Sequence, residues 1–358
     1  MKNENRIFGY DIIRAVAILL VMIGHVLEYI YSGEYSFFLS FLSGFFGVEL
    51  FFVLSGVLIG KLLIDVFNSD HIQQKLKNFL LRRWMRTLPL YFVMLLVYWF
   101  ANYYLYSDNN QDVALWKYVF FIQNFYKVQP TFFGISWSLS VEEWFYVLFP
   151  LVLFLIKKIN ASISTKKLFI IGIFTFLIYF LFMRFLAFPT SNFTFYEGVR
   201  KVAFFRLDAI VFGILMAFGF EYFKEKISSK KYQLLAFGTL ILMVNQYFIF
   251  KNNYSNLYYF NTIYYSVLGL GIALIFPFFK EIKSGKSFLL KPITFISKIS
   301  YSLYLVHWLV YKFLDLNYFN TISGNIKFVL FFILSFVAAI FTYQFIEKPM
   351  MKFRNKIS

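Results

Sequence analysis

Long apolar runs alternate with short polar segments along this 358-residue chain. A helix rises about 1.5 Å per residue, so roughly 20 apolar residues cross the hydrocarbon layer of a bilayer. Runs near that length lie at about 8–31, 37–60, 88–107, 140–156, 168–188, 203–222, 232–250, 258–279, 294–315 and 326–347. They predict an all-α integral membrane protein of about ten transmembrane helices. The first run is too long for a cleaved signal peptide, and no small-residue cleavage site follows it, so it is expected to stay as the first helix. A single domain over residues 1–358 is expected, with no soluble domain appended at either end. The longest connectors fall at about 61–87 and 108–139, and neither reads as low complexity. No two halves with matching interrupted helices stand out, which argues against a transporter built from repeats.

Composition agrees with the pattern. The chain is 60% hydrophobic with a mean hydropathy of +0.66, against roughly 45–50% apolar for soluble domains. The 24% aromatic content, mostly Phe and Tyr, reads as lipid-facing and interfacial residues. With no cysteine, thiolate metal sites are excluded, three histidines leave little for a His-rich centre, and no metal is expected. The net charge of +17 does not form the single basic face that nucleic acid requires. Instead, 24 of the 35 Lys and Arg residues fall on alternate connectors and five on the opposite ones. Basic residues concentrate on the cytoplasmic side, so both termini are expected to face the cytoplasm.

Ionisable side chains inside the spans cost roughly 2.5–3.5 kcal/mol each on insertion scales, so each marks a buried pair or a functional group. In "RAVAILLVMIGHV", Arg14 and His25 leave one helix face about 16 Å apart, with Asp11 one turn earlier. The plainer reading pairs Asp11 and Arg14 with neighbouring helices and sets His25 against a backbone carbonyl. In "SWSLSVEEWFYVLFP", Ser138, Glu142 and Tyr146 recur every fourth residue as one ridge, while Glu143 points about 100° away. Glu142 is favoured as the interior carboxylate; the alternative leaves both acids at the water interface. In "LRRWMRTLPLYF", Arg82, Arg83 and Arg86 suit either a positive-inside anchor or a phosphate-rich ligand held by guanidinium forks. Supporting polar positions are Glu49 and Ser55 in the second run and Ser300, Tyr304 and His307 on one face of the ninth. Arg206 and Asp208 diverge on their helix and need separate partners, with buried ion pairing expected. Glu347 is expected to close the last span, where Pro349 stops the helix.

Together "FFGVELFFVLSG", "RRWMRTLPLY", "WSLSVEEWFY", "SYSLYLVHW", "FIEKP" and the Arg14-to-His25 spacing resemble membrane-bound acyltransferase family 3, in order and over essentially the whole chain. The resemblance implies O-acylation of an extracytoplasmic or lipid-linked glycan at the bacterial cytoplasmic (inner) membrane. It implies acyl-CoA, with acetyl-CoA the best guess, as the donor. Arg14, Arg82, Arg83 and Arg86 would then hold the donor, His25 would act as general base, and Glu142 and Glu143 would belong to the catalytic group, Glu142 steadying His25. Two features depart from the family: Trp144 stands where Gln is common, and the extracytoplasmic SGNH-type domain of many relatives is absent from this sequence. A separate extracytoplasmic protein would then complete transfer, unless the membrane domain acylates its acceptor directly. The alternative function is a transporter or flippase of a lipid-linked glycan.

Overall fold

The computed structural model describes residues 6–30, 34–105, 113–127, 131–187, 198–251, 257–283, 288, 290–316 and 321–357. These form α1 (Phe8–Ile30), α2 (Glu34–Phe67), α3 (Ile72–Leu105), α4 (Leu115–Val119), α5 (Ser136–Ile159), α6 (Thr165–Ala187) and α7 (Asp208–Tyr222). They continue as α8 (Lys224–Ser229), α9 (Lys231–Lys251), α10 (Leu257–Tyr259), α11 (Tyr265–Lys280), α12 (Leu290–Leu314), α13 (Gly324–Thr342) and α14 (Lys348–Ile357). There is no strand among the described residues. Each of the ten apolar runs becomes a helix, and among the described residues eight helices are long and apolar enough to cross a membrane. The exceptions are α7, with 15 residues, and α9, which carries Asn245 and Gln246 within its length. Lys2, Lys286 and residues 106–112 and 128–130 of the second long connector lie outside the described residues.

Two boundaries differ from the sequence pattern. The basic stretch 61–87 is not a connector: α2 and α3 each run to 34 residues and leave only residues 68–71 between them. Amphipathic extensions of this kind are invisible to an apolar-run criterion, because their polar faces break the run. Nor does Pro349 end the last helix. Helix continues through a π-helical turn at Tyr343–Glu347, and Pro349 sits in the first turn of α14, a position that tolerates proline.

The basic helix ends meet at one end of the bundle. Arg6 Nη2 reaches the Thr294 carbonyl at 3.4 Å, Lys61 pairs with Glu221 at 3.0 Å, and Thr165 Oγ1 donates to the Phe67 carbonyl at 3.1 Å. Lys231 pairs with Glu281 at that end too. At the opposite end, Asn124 Nδ2 donates to the Lys201 carbonyl at 2.7 Å.

Lipid is as apolar as leucine, so helices in a membrane associate through close backbone approach and polar contacts. The α2–α7 contact uses both. A Cβ added to Gly56 would lie 2.1 Å from the Ile210 carbonyl oxygen, and one on Gly213 would lie 2.1 Å from that of Val53. Beside it, Arg206 donates to Glu49 at 2.6 Å with both side chains 0% exposed, and Arg206 lies 4.0 Å from the Tyr265 ring centre. Arg184 on α6 forks onto Asp208 at 3.0 and 2.9 Å. It also reaches the Thr262 and Phe205 carbonyls at 2.9 and 3.0 Å. Buried ion pairing of Arg206 and Asp208, each with its own partner, is therefore what the fold contains.

Gly213→Val is expected to destabilise the bundle by more than about 2 kcal/mol, since carbonyl oxygens have nowhere to move; unfolding of purified protein in mixed micelles measures it. Arg184→Met should cost about 3–5 kcal/mol by stranding the Asp208 carboxylate, and the double change Arg184→Met with Asp208→Leu should recover much of that loss in the same assay.

Candidate active site

Four long helices, α1, α2, α5 and α12, together with the start of α3's apolar half, wall an interior cavity. Its lining includes Arg14, Ser55, Arg83, Arg86, Thr87, Ser138, Glu142, Tyr146, Ser300, Tyr301 and Tyr304. The cavity is open at one end and has a volume of about 90 Å³. The ridge read from the α5 sequence is present: Ser138, Glu142 and Tyr146 all face in. Glu142 accepts from Ser55 Oγ at 2.9 Å and from the Tyr146 hydroxyl at 3.0 Å. Glu143, one residue on, turns to α3, where it accepts from Trp84 Nε1 and Thr87 Oγ1, each at 3.1 Å. Both carboxylates are thus interior, not Glu142 alone, and they tie α5 to different neighbours.

A second pocket opens at the basic end, lined by Asp65, Lys75, Asn78, Arg82, Arg83, Arg86 and Arg354 among others. Arg83 and Arg86 line both spaces. The two spaces therefore adjoin, with those guanidiniums between the basic end and the interior. Arg14 belongs to the inner space and Arg82 to the outer one.

His25 stands apart from the cavity lining. Its ring centroid is 5.3 Å from that of His307 and 4.8 Å from that of Trp308. The His307 Nδ1 lies 3.1 Å from the Leu303 carbonyl, and since a carbonyl only accepts, that nitrogen carries the proton. The opposite nitrogen, Nε2, is buried without a hydrogen-bond partner. The expectation that Glu142 steadies His25 is corrected here: both Glu142 oxygens are engaged by Ser55 and Tyr146, and the neighbour of His25 is His307. Tyr304 belongs to both regions. It lines the cavity, its ring centroid is 5.7 Å from that of His307, and its hydroxyl donates to the Ile135 carbonyl at 3.0 Å and meets Ser138 Oγ at 2.6 Å.

Two supporting residues are structural in place. Asp11 is held by Arg6 at 2.5 Å and by Ser297 Oγ at 2.7 Å, and Glu49 is spent on Arg206; neither lines the cavity. Trp144 touches neither glutamate, as its indole donates to the Phe121 carbonyl at 2.9 Å. Thr87 and Tyr301 line the inner space and Arg354 the outer one without having been singled out in the sequence. Thr87 follows Arg83 by one helical turn, a spacing that pointed to it; Tyr301 and Arg354 carried no such signal. Among the described residues no cluster of His, Asp or Glu has the arrangement of a metal site.

The chain is 30% identical over 378 residues to a Staphylococcus aureus (strain COL) protein provisionally named as an O-acetyltransferase, covering 98% of this chain and 58% of the relative. It is 28% identical over 376 residues to the O-acetyltransferase OatA of S. aureus strain NCTC 8325, covering 96% of this chain and 57% of the relative. The chain thus spans a little over half the length of these curated relatives. No solved structure matches it significantly. The family model described as "Acyltransferase domain", acyltransferase 3, matches residues 7–344, from the start of α1 into the π-helical turn after α13. A match running through every helix that walls the cavity makes this chain a member of acyltransferase family 3.

Proposed function

We propose that the protein transfers an acyl group, acetyl in the first instance, from cytoplasmic acyl-CoA to a hydroxyl of an extracytoplasmic or lipid-linked glycan, from within a bacterial inner membrane. The observation that carries this reading is the arginine-lined mouth that shares Arg83 and Arg86 with a polar inner cavity, whose Tyr304 lies one ring away from a histidine pair. The basic end, rich in Lys and Arg, is assigned to the cytoplasm by the positive-inside rule, so donor enters there and both chain ends face it. The names of the relatives, O-acetyltransferases, favour an oxygen acceptor. Because those relatives are longer than the matched region, a separate acyl-transfer protein or region acting outside the membrane fits the same scheme.

In this mechanism His25 takes the acceptor hydroxyl proton as the oxygen attacks the thioester carbonyl carbon. The C–S bond then breaks, and the CoA thiolate leaves and is protonated. A base for this step needs a lone pair that can take the hydroxyl proton, which a neutral imidazole supplies. His307, whose Nδ1 proton is committed to Leu303, offers its free Nε2 lone pair beside the His25 ring. Glu142 positions Ser55 and Tyr146 on the cavity wall, and Glu143 fixes α3 so that Arg83 faces inward. Ser138 and Tyr304 close the inner end of the cavity, so transfer requires the Tyr304 side chain to swing aside.

Release of free CoA thiol from acetyl-CoA by the purified protein, with glycan present, is the deciding measurement; a transporter releases none. His25→Ala is expected to reduce turnover by at least about 10²-fold while the protein still folds, the usual weight of a general base. Arg83→Ala should raise the donor KM about ten-fold or more with a smaller change in kcat, because it removes a charge-assisted contact made equally in the bound and reacting states. Unchanged turnover in the His25 variant would remove His25 from the mechanism.

A further inference from the structure

The outer pocket brings together five basic side chains, Lys75, Arg82, Arg83, Arg86 and Arg354, with a single acid, Asp65. That acid is already occupied, since Asp65 accepts from Lys61 Nζ at 2.8 Å. Among the described residues Lys75, Arg82, Arg83 and Arg86 make no ion pair. Arg83 instead faces the ring of Tyr146 at 5.6 Å. Lys75, Arg82, Arg83 and Arg86, gathered at a helix-lined mouth whose one carboxylate is already paired, repel one another unless an anion completes the site, and forked donors of this type suit phosphoryl oxygens. The fifth cation comes from an unexpected element. Arg354 lies on α14, which follows the π-helical turn, packs against α3 and falls beyond the residues matched by the family model.

The positions are graded. Arg83 and Arg86 face both the inner cavity and the mouth, whereas Arg82, Lys75 and Arg354 line the mouth alone. A thioester whose acyl end lies in the cavity sets its pantetheine along the inner wall and its 5′-diphosphate at the threshold. Its ribose 3′-phosphate is then outermost. Building on the functional reading above, we infer that Arg354, carried by the C-terminal helix, is a specificity-determining residue for the donor and binds the 3′-phosphate of CoA. The α14 helix is in this view the outer wall of the nucleotide site. The chemistry recognised is a phosphomonoester, which an anionic lipid headgroup resembles, so the test separates the two sources.

Binding of CoA and of 3′-dephospho-CoA to the purified full chain is measured by calorimetry in nanodiscs of neutral phosphatidylcholine. Arg354→Gln is expected to weaken CoA binding at least about ten-fold, the weight of one charge-assisted hydrogen bond, while dephospho-CoA binds as to the unaltered protein. Arg354→Lys should recover part of the loss, since it restores the charge without the fork. Equal weakening toward both ligands, or no weakening, overturns the assignment. So does a result in which Arg354→Gln leaves CoA alone but abolishes thermal stabilisation by phosphatidylglycerol, which would give the arginine to lipid. If the unaltered protein binds neither nucleotide, the functional reading fails with it; if it binds CoA and Arg354→Gln binds equally well, this inference alone fails.

Discussion

A charge placed in hydrocarbon must find a partner or a water-filled space, and that constraint sorts the interior of this protein into two halves. In one, around α2, α6 and α7, every deep charge is matched: Arg184 forks onto Asp208 and Arg206 meets Glu49. These pairs fill the interior and cement helices whose association lipid does not drive. In the other half, between α1, α2, α3, α5 and α12, Arg14, Arg83 and Arg86 face a cavity. Charge without an ion-pair partner is tolerated there because the space is polar-lined and not closed. The same energetic rule thus separates scaffold from site.

Helix continuity turns that division into a path. Because α3 runs unbroken from Ile72 to Leu105, one rigid element carries Arg82 and Lys75 at the mouth, Arg83 and Arg86 at the threshold, and Thr87 on the cavity wall. Glu143 clamps this helix to α5 through Trp84 and Thr87. Glu142 spends its oxygens on Ser55 and Tyr146, joining α2 to α5 across the same space. Two adjacent acids, about 100° apart on one helix, therefore fix two different walls, and the arginines inherit their direction from that bracing.

At the far end, the polar route narrows to side chains that touch both regions. The Tyr304 hydroxyl is held by the Ile135 carbonyl and by Ser138, while its ring leans on His307, and His307 in turn faces His25. The His307 tautomer is set by a backbone carbonyl one turn back on its own helix. A rigid α12 thereby presents a hydroxyl to the cavity and an imidazole ring to His25 on α1.

Much of this was legible in the sequence. Apolar run length alone placed all ten helices, since bilayer thickness fixes how long such a run must be. Helical periodicity placed Ser138, Glu142 and Tyr146 on one face and Ser300, Tyr304 and His307 on another, because residues on one helix have a fixed angular relation whatever surrounds them. The distribution of Lys and Arg foretold which helix ends would gather. What the sequence did not contain was who meets whom between helices. Glu142 was expected to face His25, and Glu49 and Asp11 to support the site. The structure gives Glu142 to Ser55 and Tyr146, Glu49 to Arg206, and Asp11 to Arg6 and Ser297. The length of α3 and the packing of α14, with Arg354, against it were likewise decided by the assembled bundle, since an amphipathic turn outside the hydrocarbon has no apolar run to announce it. Periodicity binds residues within one helix; partners across helices depend on rotation and depth, which only the assembled bundle fixes.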